Sequence, residues 1–311
     1  RGLGDVYKRQ HMHAWEAIQK SIDYIEDNLT EPLEIDTLAQ VASLSVFYYQ
    51  RLFTRLVKIS VREYIKLRRL ARGALLLKNQ KKRVIDVAFE VGFSSHAVFS
   101  RTFKTVYRIS PSLYQKKPIG LQNFDKPDLS LGYIVTEEGI PLISEGVVLE
   151  IQKKSNPHPL VFYGIVGYYP FNYGKMLGQR TGIDPIEEIW HEFLQKIAHQ
   201  PGKANYQIGV SFPGDAPEGY SSYFVGQVGD DSQGSTFSEW TLPARDYVVC
   251  SFDTISEQLI INMGKAMRYT RFWLKKNGWI AEDFFPELYQ KKENQVVHVE
   301  LWIPFKKRSE M

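Results

Sequence analysis

Residues 84–115, VIDVAFEVGFSSHAVFSRTFKTVYRISPSLYQ, carry two apolar stripes of helical period with a glycine between them. A fainter version of the same plan lies about 50 residues earlier. In the later copy Val84, Val87, Ala88 and Val91 make the first stripe, and Phe99, Phe103 and Val106 make the second. In the earlier copy Leu38, Ala39 and Val41 or Ala42 come first, and a helix from Val46 then buries Tyr49, Phe53 and Leu56. Spacings of three and four residues put each set on one face of a helix. Two short helices joined across a turn of three or four residues form a helix-turn-helix. Gly92 can take the left-handed backbone such a turn needs, whereas Ser43, at the matching place, is less suited. Ala39 and Ala88 are small enough to let the paired helices cross closely. A tandem pair in one chain predicts an all-α N-terminal domain from which two helices project.

The stretch between the copies is predicted to hold them apart. Ser60 with Glu63 forms an S-x-x-E capping box, which starts a helix running to about Leu77. Roughly 17 residues of helix span about 25 Å. That is short of the roughly 34 Å between major-groove faces one turn of duplex apart. Ser110 and Pro111 suit the N-cap and first position of the domain's last helix.

Charge divides the chain at the same place. Residues 1–117 carry 21 Lys and Arg against 11 Asp and Glu, a net +10. Residues 118–311 carry 18 against 24, a net −6. The basic half suits a polyanion, and the acidic half suits a neutral or cationic partner. Cys250 is the single cysteine, which excludes an internal disulfide and any zinc site built from cysteines. The sequence holds no apolar run of about 18 residues, so no membrane partner is expected. It has no metal constellation, Walker loop, nucleophile elbow or dinucleotide fingerprint. These features lead to the expectation of a cytoplasmic protein that is not an enzyme and uses neither metal nor cofactor. Residues 1–11 contain DVYKRQ, which resembles translated sequencing adapter; they are read as a non-native leader, with Met12 as the start.

On each second helix the face opposite the apolar stripe is the candidate reading surface. In the first copy it offers Phe47, Gln50, Arg51 and Thr54; in the second, His96, Ala97, Ser100, Arg101 and Lys104. Arginine binds guanine O6 and N7 with two parallel hydrogen bonds, and glutamine pairs with adenine. Phe47 can pack on a thymine methyl. The predicted partner is double-stranded promoter DNA. For each arginine, contact with phosphate alone or a salt bridge within the domain is the alternative.

The segment IDVAFEVGFSSHAVFSRTFKTVYRISPSLY resembles the signature of the AraC/XylS family of bacterial transcription regulators. YYQRLF with REYIKLRRLARGALLL resembles the family's first helix-turn-helix and linker helix, so the likeness covers about residues 14–116. It implies that both second helices enter successive grooves of one asymmetric site. It also implies transcription activation through contact with RNA polymerase. Lys58 and Arg108 stand where the family usually has glycine after those helices, so the two turns are expected to differ locally.

Beyond residue 116 the pattern changes. Residues 117–145 are expected to be a linker with one short strand at Leu131–Val135, and residues 146–307 a second domain. The latter reads as a strand–helix–strand–strand unit used twice, an α+β fold. WTLPARDYVVCSFDT, FFPELYQ and HVELWIPF resemble the GyrI-like effector-binding domain of some multidrug-sensing regulators. The resemblance implies a cleft between two halves, with aromatics around a buried glutamate at Glu287, and a small, organic-cation effector. A carboxylate in an apolar cleft is costly unless compensated, and aromatic faces attract cations. Tyr289 shares a strand face with Glu287. Trp240, Tyr163, Tyr168 and Trp302 are further candidates, and Glu300 is a weaker acidic one. Two other readings of this half are a hydrolase and a ligand-free protein-interaction module.

Overall fold

The structure, a computed structural model, describes residues 12–79, 82–170, 182–198, 206–229 and 237–307. Residues 1–11, set aside above, lie outside the described residues. The chain forms two compact units. The first comprises Arg1–Ser130 with Gly178–Ile183; the second comprises Leu131–Leu177 with Asp184–Met311.

In the first unit seven helices follow one another: α1 (Ala14–Asp27), α2 (Ile35–Val41), α3 (Val46–Val57), α4 (Val61–Asn79), α5 (Val84–Glu90), α6 (His96–Tyr107) and α7 (Pro111–Lys116). The helix pairs α2–α3 and α5–α6 are the two predicted copies. Their turns close alike: the Leu44 N–H donates to the Ala39 carbonyl at 2.9 Å, and the Phe93 N–H donates to the Ala88 carbonyl at 3.0 Å. Ser43 at φ 55° and Gly92 at φ 84° take the same left-handed place between the helices. Ser45 and Ser95 then cap α3 and α6, accepting from the N–H groups of Tyr48 and Val98.

The buried stripes follow the sequence reading, displaced at their ends. Tyr49, Leu52, Phe53 and Val57 are buried on α3, and Phe99, Phe103 and Tyr107 on α6. Leu56 and Val106 are only half-buried. Lys58 (φ 70°) and Arg108 (φ 63°) end these helices in left-handed caps after all. The expected local difference is absent; the two non-glycine residues accept the strain, roughly 1–2 kcal/mol each.

The middle helix α4 joins the copies. Ser60 Oγ accepts from the Glu63 N–H at 3.2 Å, and the Glu63 carboxylate pairs with Lys66. Arg69 reaches out from α4 to three carbonyls, those of Leu29, Gly92 and Glu31, each at 2.8 Å. One guanidinium therefore ties the turn of the second copy to the loop that precedes the first.

The expected linker divides between the units. Phe124 and Leu129 are buried in the first core, Arg68 donates to the Phe124 carbonyl, and Tyr107 donates to Asn123. A two-residue strand, β1 (Leu121–Gln122), pairs with β5 (Gly182–Ile183). Leu131, by contrast, is buried in the second unit's core. No strand forms at Leu131–Val135; a short 3-10 turn, Ser130–Gly132, begins there instead. The Trp273 N–H and Tyr269 hydroxyl hold Thr136 beside it.

The second unit is a sheet with two helices. Its strands are β2 (Leu142–Ser144), β3 (Val147–Asn156), β4 (Leu160–Pro170), β6 (Gln207–Phe212), β7 (Tyr220–Val228), β8 (Ser238–Leu242), β9 (Arg245–Ile255), β10 (Trp279–Ala281), β11 (Phe285–Lys291) and β12 (Val296–Lys307). Helix α8 (Pro185–Ile197) lies between β5 and β6, and α9 (Leu259–Lys276) between β9 and β10. The strand order is β2-β3-β9-β12-β11-β6-β7-β4-β8, with β10 added beside β12, and every pairing is antiparallel. Helix α8 packs with Tyr163, Ile165, Tyr223 and Val225, and α9 with Ile151, Cys250, Val299 and Leu301. Strand alternation puts both sets on one sheet face. The opposite face has its own apolar cluster around Phe162, Val210, Phe224 and Leu288.

Candidate nucleic-acid interface and carboxylate recess

Helices α3 and α6 present the predicted reading faces to solvent. Phe47 is 75% exposed, far beyond what an ordinary core phenylalanine shows. Gln50, Arg51 and Thr54 on α3 are exposed, as are His96, Ala97, Arg101 and Lys104 on α6. Ser100 is half-buried and its Oγ lies 3.2 Å from His96 Nε2, so these two polar groups are occupied with each other. Among the described residues neither the Arg51 nor the Arg101 guanidinium enters an ion pair or hydrogen bond. Both side chains are exposed. The caps position these faces, because Ser45 and Ser95 fix where each helix starts.

The second candidate site lies where β11 meets β6 on the face that carries both helices. Glu287 Oε2 accepts hydrogen bonds from the Tyr289 hydroxyl at 2.6 Å and the Tyr223 hydroxyl at 3.0 Å. Trp190 of α8 donates its indole N–H to the Tyr223 oxygen at 3.3 Å and meets the Tyr289 ring edge-on at 5.2 Å. Tyr223 reaches Glu287 from β7 across the whole of β6. Tyr223 is paired with Ser211 and crosses diagonally over Gly209, the register partner of Glu287, where a Cβ would fall 2.2 Å from the Tyr223 hydroxyl.

Burial pushes the Glu287 carboxyl up from 4.5 to about 7; the two phenols counter this in part, and the Asp184 charge adds to it. Glu287 nevertheless keeps partial access to solvent. Among the described residues Oε1 has no protein donor. A carboxylate held by two phenols, with no cation beside it among the described residues, is short of positive charge.

The other sequence candidates fall elsewhere. Tyr163 shares the helix-covered face but belongs to the core under α8 with Phe193 and Phe237. Tyr168 has the opposite strand parity, is 44% exposed and donates to Asp215. Trp240 and Trp302 lie on the far face of the sheet, in the cluster around Phe224 and Tyr247. The reason is parity: Leu301 is paired with Glu287 and Phe162 with Trp240, so Trp302 and Trp240 point to the face opposite Glu287. Glu300 is on that far face too, where Lys154 pairs with it and the Trp302 N–H donates to it. Those partners outweigh the desolvation that opposes them and hold its pKa below the ordinary carboxylate value. Tyr223, Trp190 and Gly209 were not singled out by sequence. A glycine inside a strand, as in YQIGVSF, is the available hint of a close approach.

Comparison with known proteins bears on the helical unit. Residues 38–117 match the family described as "Helix-turn-helix domain". The chain is 39% identical over 104 residues to the uncharacterized HTH-type transcriptional regulator YbfP of Bacillus subtilis, covering 33% of this chain and 35% of that protein. It is 36% identical over 115 residues to the HTH-type transcriptional activator AarP of Providencia stuartii, covering 37% and 85%. It is 33% identical over 100 residues to the regulatory protein SoxS of Salmonella typhimurium, covering 32% and 94%. A crystal structure of an AraC-type regulator from Chromobacterium violaceum matches 33% of this chain and 94% of that one, at 27% identity and a TM-score of 0.31. The chain thus spans about a third of YbfP but nearly all of SoxS, and each match covers about a third of the chain itself. By its paired helix-turn-helix units the chain belongs to the AraC family of bacterial DNA-binding transcription regulators.

Proposed function

We propose that this protein is a one-component regulator: α3 and α6 read promoter DNA, and the Glu287 site binds a small organic cation. For the DNA half, the supporting observation is the pair of unpaired guanidinium groups, Arg51 and Arg101, at corresponding places on two separately capped helices. Arginine forks of this kind meet guanine in the major groove. Activation by contact with RNA polymerase belongs to this proposal as well.

For the acidic half, the observation that carries the reading is Glu287 itself. It is a partly exposed carboxylate that no cation among the described residues compensates, held by two tyrosines that Trp190 in turn contacts. The strand order supports a GyrI-like architecture. Outward from the β11–β6 junction, β12-β9-β3 on one side answers β7-β4-β8 on the other, with α9 and α8 in corresponding places. Glu287 then lies at the junction of two related halves.

Ligand binding tests this. A quaternary probe, benzyltrimethylammonium, keeps its charge at every pH, so pH acts through the protein. Binding favours ionised Glu287, so affinity rises as pH increases from 6 to 8 through the carboxyl's value of about 7. Glu287→Gln is expected to weaken the probe at least tenfold and to flatten that profile, with DNA affinity unchanged. Equal affinity for wild type and variant removes Glu287 from effector binding.

A further inference from the structure

Strand β10 is paired on one side only. Its partner is β12, and among the described residues no strand joins its other edge. The Glu282 N–H donates to the Pro304 carbonyl of β12 at 2.9 Å, so Glu282 turns its backbone toward β12. Backbone groups of successive strand residues point to opposite sides, so Ala281 turns its N–H and carbonyl to the free edge. A recess of about 310 Å³ lies there, lined by Arg271 and Leu274 of α9, by Trp279 and Ala281 of β10, and by Phe285. That volume suits a small organic molecule. Neither Glu287 nor its two tyrosine partners line it.

The lining holds one cation without a counter-charge. The Arg271 guanidinium lies over the Phe285 ring with Cζ 5.0 Å from its centroid, and among the described residues it has no carboxylate partner. Neighbouring atoms strip enough water from it to disfavour its charged form, a cost that a bound anion offsets. Of the two acidic residues in the lining, Glu282 is already engaged by Arg245 and Lys306, and Asp283 is exposed. A guanidinium resting on an aromatic face keeps its in-plane N–H donors free, and two of them match the oxygens of one carboxylate. The apolar part of the lining suits a flat ring. Trp279 stacks on Phe305 at 4.5 Å and has the Lys153 ammonium 5.7 Å from its centroid, so its rim is what it offers the recess. An aromatic rim is electropositive and attracts the face of another ring.

We propose that this recess is a second ligand site, which binds a small aromatic carboxylate with its anionic end on Arg271 and its ring against Leu274 and the Trp279 rim. The Ala281 N–H at the free edge is a further donor for the carboxylate. The assignment does not depend on the reading of Glu287, and its ligand carries the opposite charge.

The test is calorimetry on the full chain with 2-naphthoate and its neutral amide, 2-naphthamide. The acid is expected to bind at least tenfold more tightly than the amide. Arg271→Gln is expected to bring the two within twofold of each other. The side chain is exposed, so this substitution opens no core, and circular dichroism checks the fold. Asp283→Asn removes a neighbouring negative charge and is expected to tighten the acid but not the amide. Glu287→Gln is expected to leave 2-naphthoate within twofold of wild type. Equal binding of acid and amide, an unchanged ratio in Arg271→Gln, or no binding of the acid at millimolar concentration overturns the proposal. A loss in Glu287→Gln as large as that in Arg271→Gln places the ligand elsewhere and overturns it too.

Discussion

The two helix-turn-helix copies share one plan and differ in how comfortably they hold it. Both turns close with the same pair of backbone groups and both second helices begin at a capping serine. The second copy places glycine at the left-handed turn; the first forces Ser43 into it. The first copy offers the richer reading face, with Phe47, Gln50 and Arg51 all exposed and uncommitted. On the second, His96 and Ser100 engage each other and Ala97 has no polar side-chain group, so Arg101 and Lys104 remain. The copy with the easier backbone is the one with less to read. Stability and recognition are distributed between the two rather than duplicated.

The largest expected effect lies at the turn of the second copy. Gly92→Ala places a side chain at φ 84° and a Cβ 2.9 Å from the Arg69 guanidinium carbon and 3.0 Å from the Leu29 carbonyl. A cost of about 2–4 kcal/mol is expected from the left-handed backbone plus displacement of the Arg69 brace. Urea unfolding measures it, and a loss below about 1 kcal/mol shows that the brace is dispensable.

Next come the reading faces. Arg51→Ala and Arg101→Ala are each expected to remove about 1–3 kcal/mol of specific DNA binding and to relax one base position. If the first copy reads more, Arg51→Ala shows the larger loss of discrimination in a binding-site selection. Equal losses on specific and random duplex reassign the arginine to phosphate contact. The smallest effect is a gain: Ser43→Gly is expected to stabilise the domain by about 0.5–1 kcal/mol, because glycine takes the left-handed backbone without strain. No gain in melting temperature means that the first turn is not strained, and the contrast between the copies weakens.

The helical unit was legible because its signals are local. Stripes such as Val87–Val91 and Phe99–Phe103, the caps at Ser60 and Ser110, and the turn at Gly92 each lie within a few residues of what they determine. The sheet is different. That Glu287 and Tyr289 share a face follows from strand period alone. Which face Trp302 or Trp240 shares with Glu287 depends on registers set across β12, β6, β7 and β4, which no short window carries. Tyr223 was missed for the same reason: it meets Glu287 across an intervening strand, through the gap at Gly209. Phe124 and Leu129 were assigned to a linker because apolar residues without a period give no sign of which core they enter.

The central claim is that two braced helices read a particular stretch of DNA, and competition binding at moderate salt measures this most directly. Purified full-length protein is titrated with duplex from immediately upstream of its own coding region and with a scrambled duplex of equal length. The account predicts at least a hundredfold preference for the upstream duplex, reduced by either arginine substitution. Equal affinity for both duplexes, falling together as salt is raised, leaves only general attraction to phosphate and contradicts it.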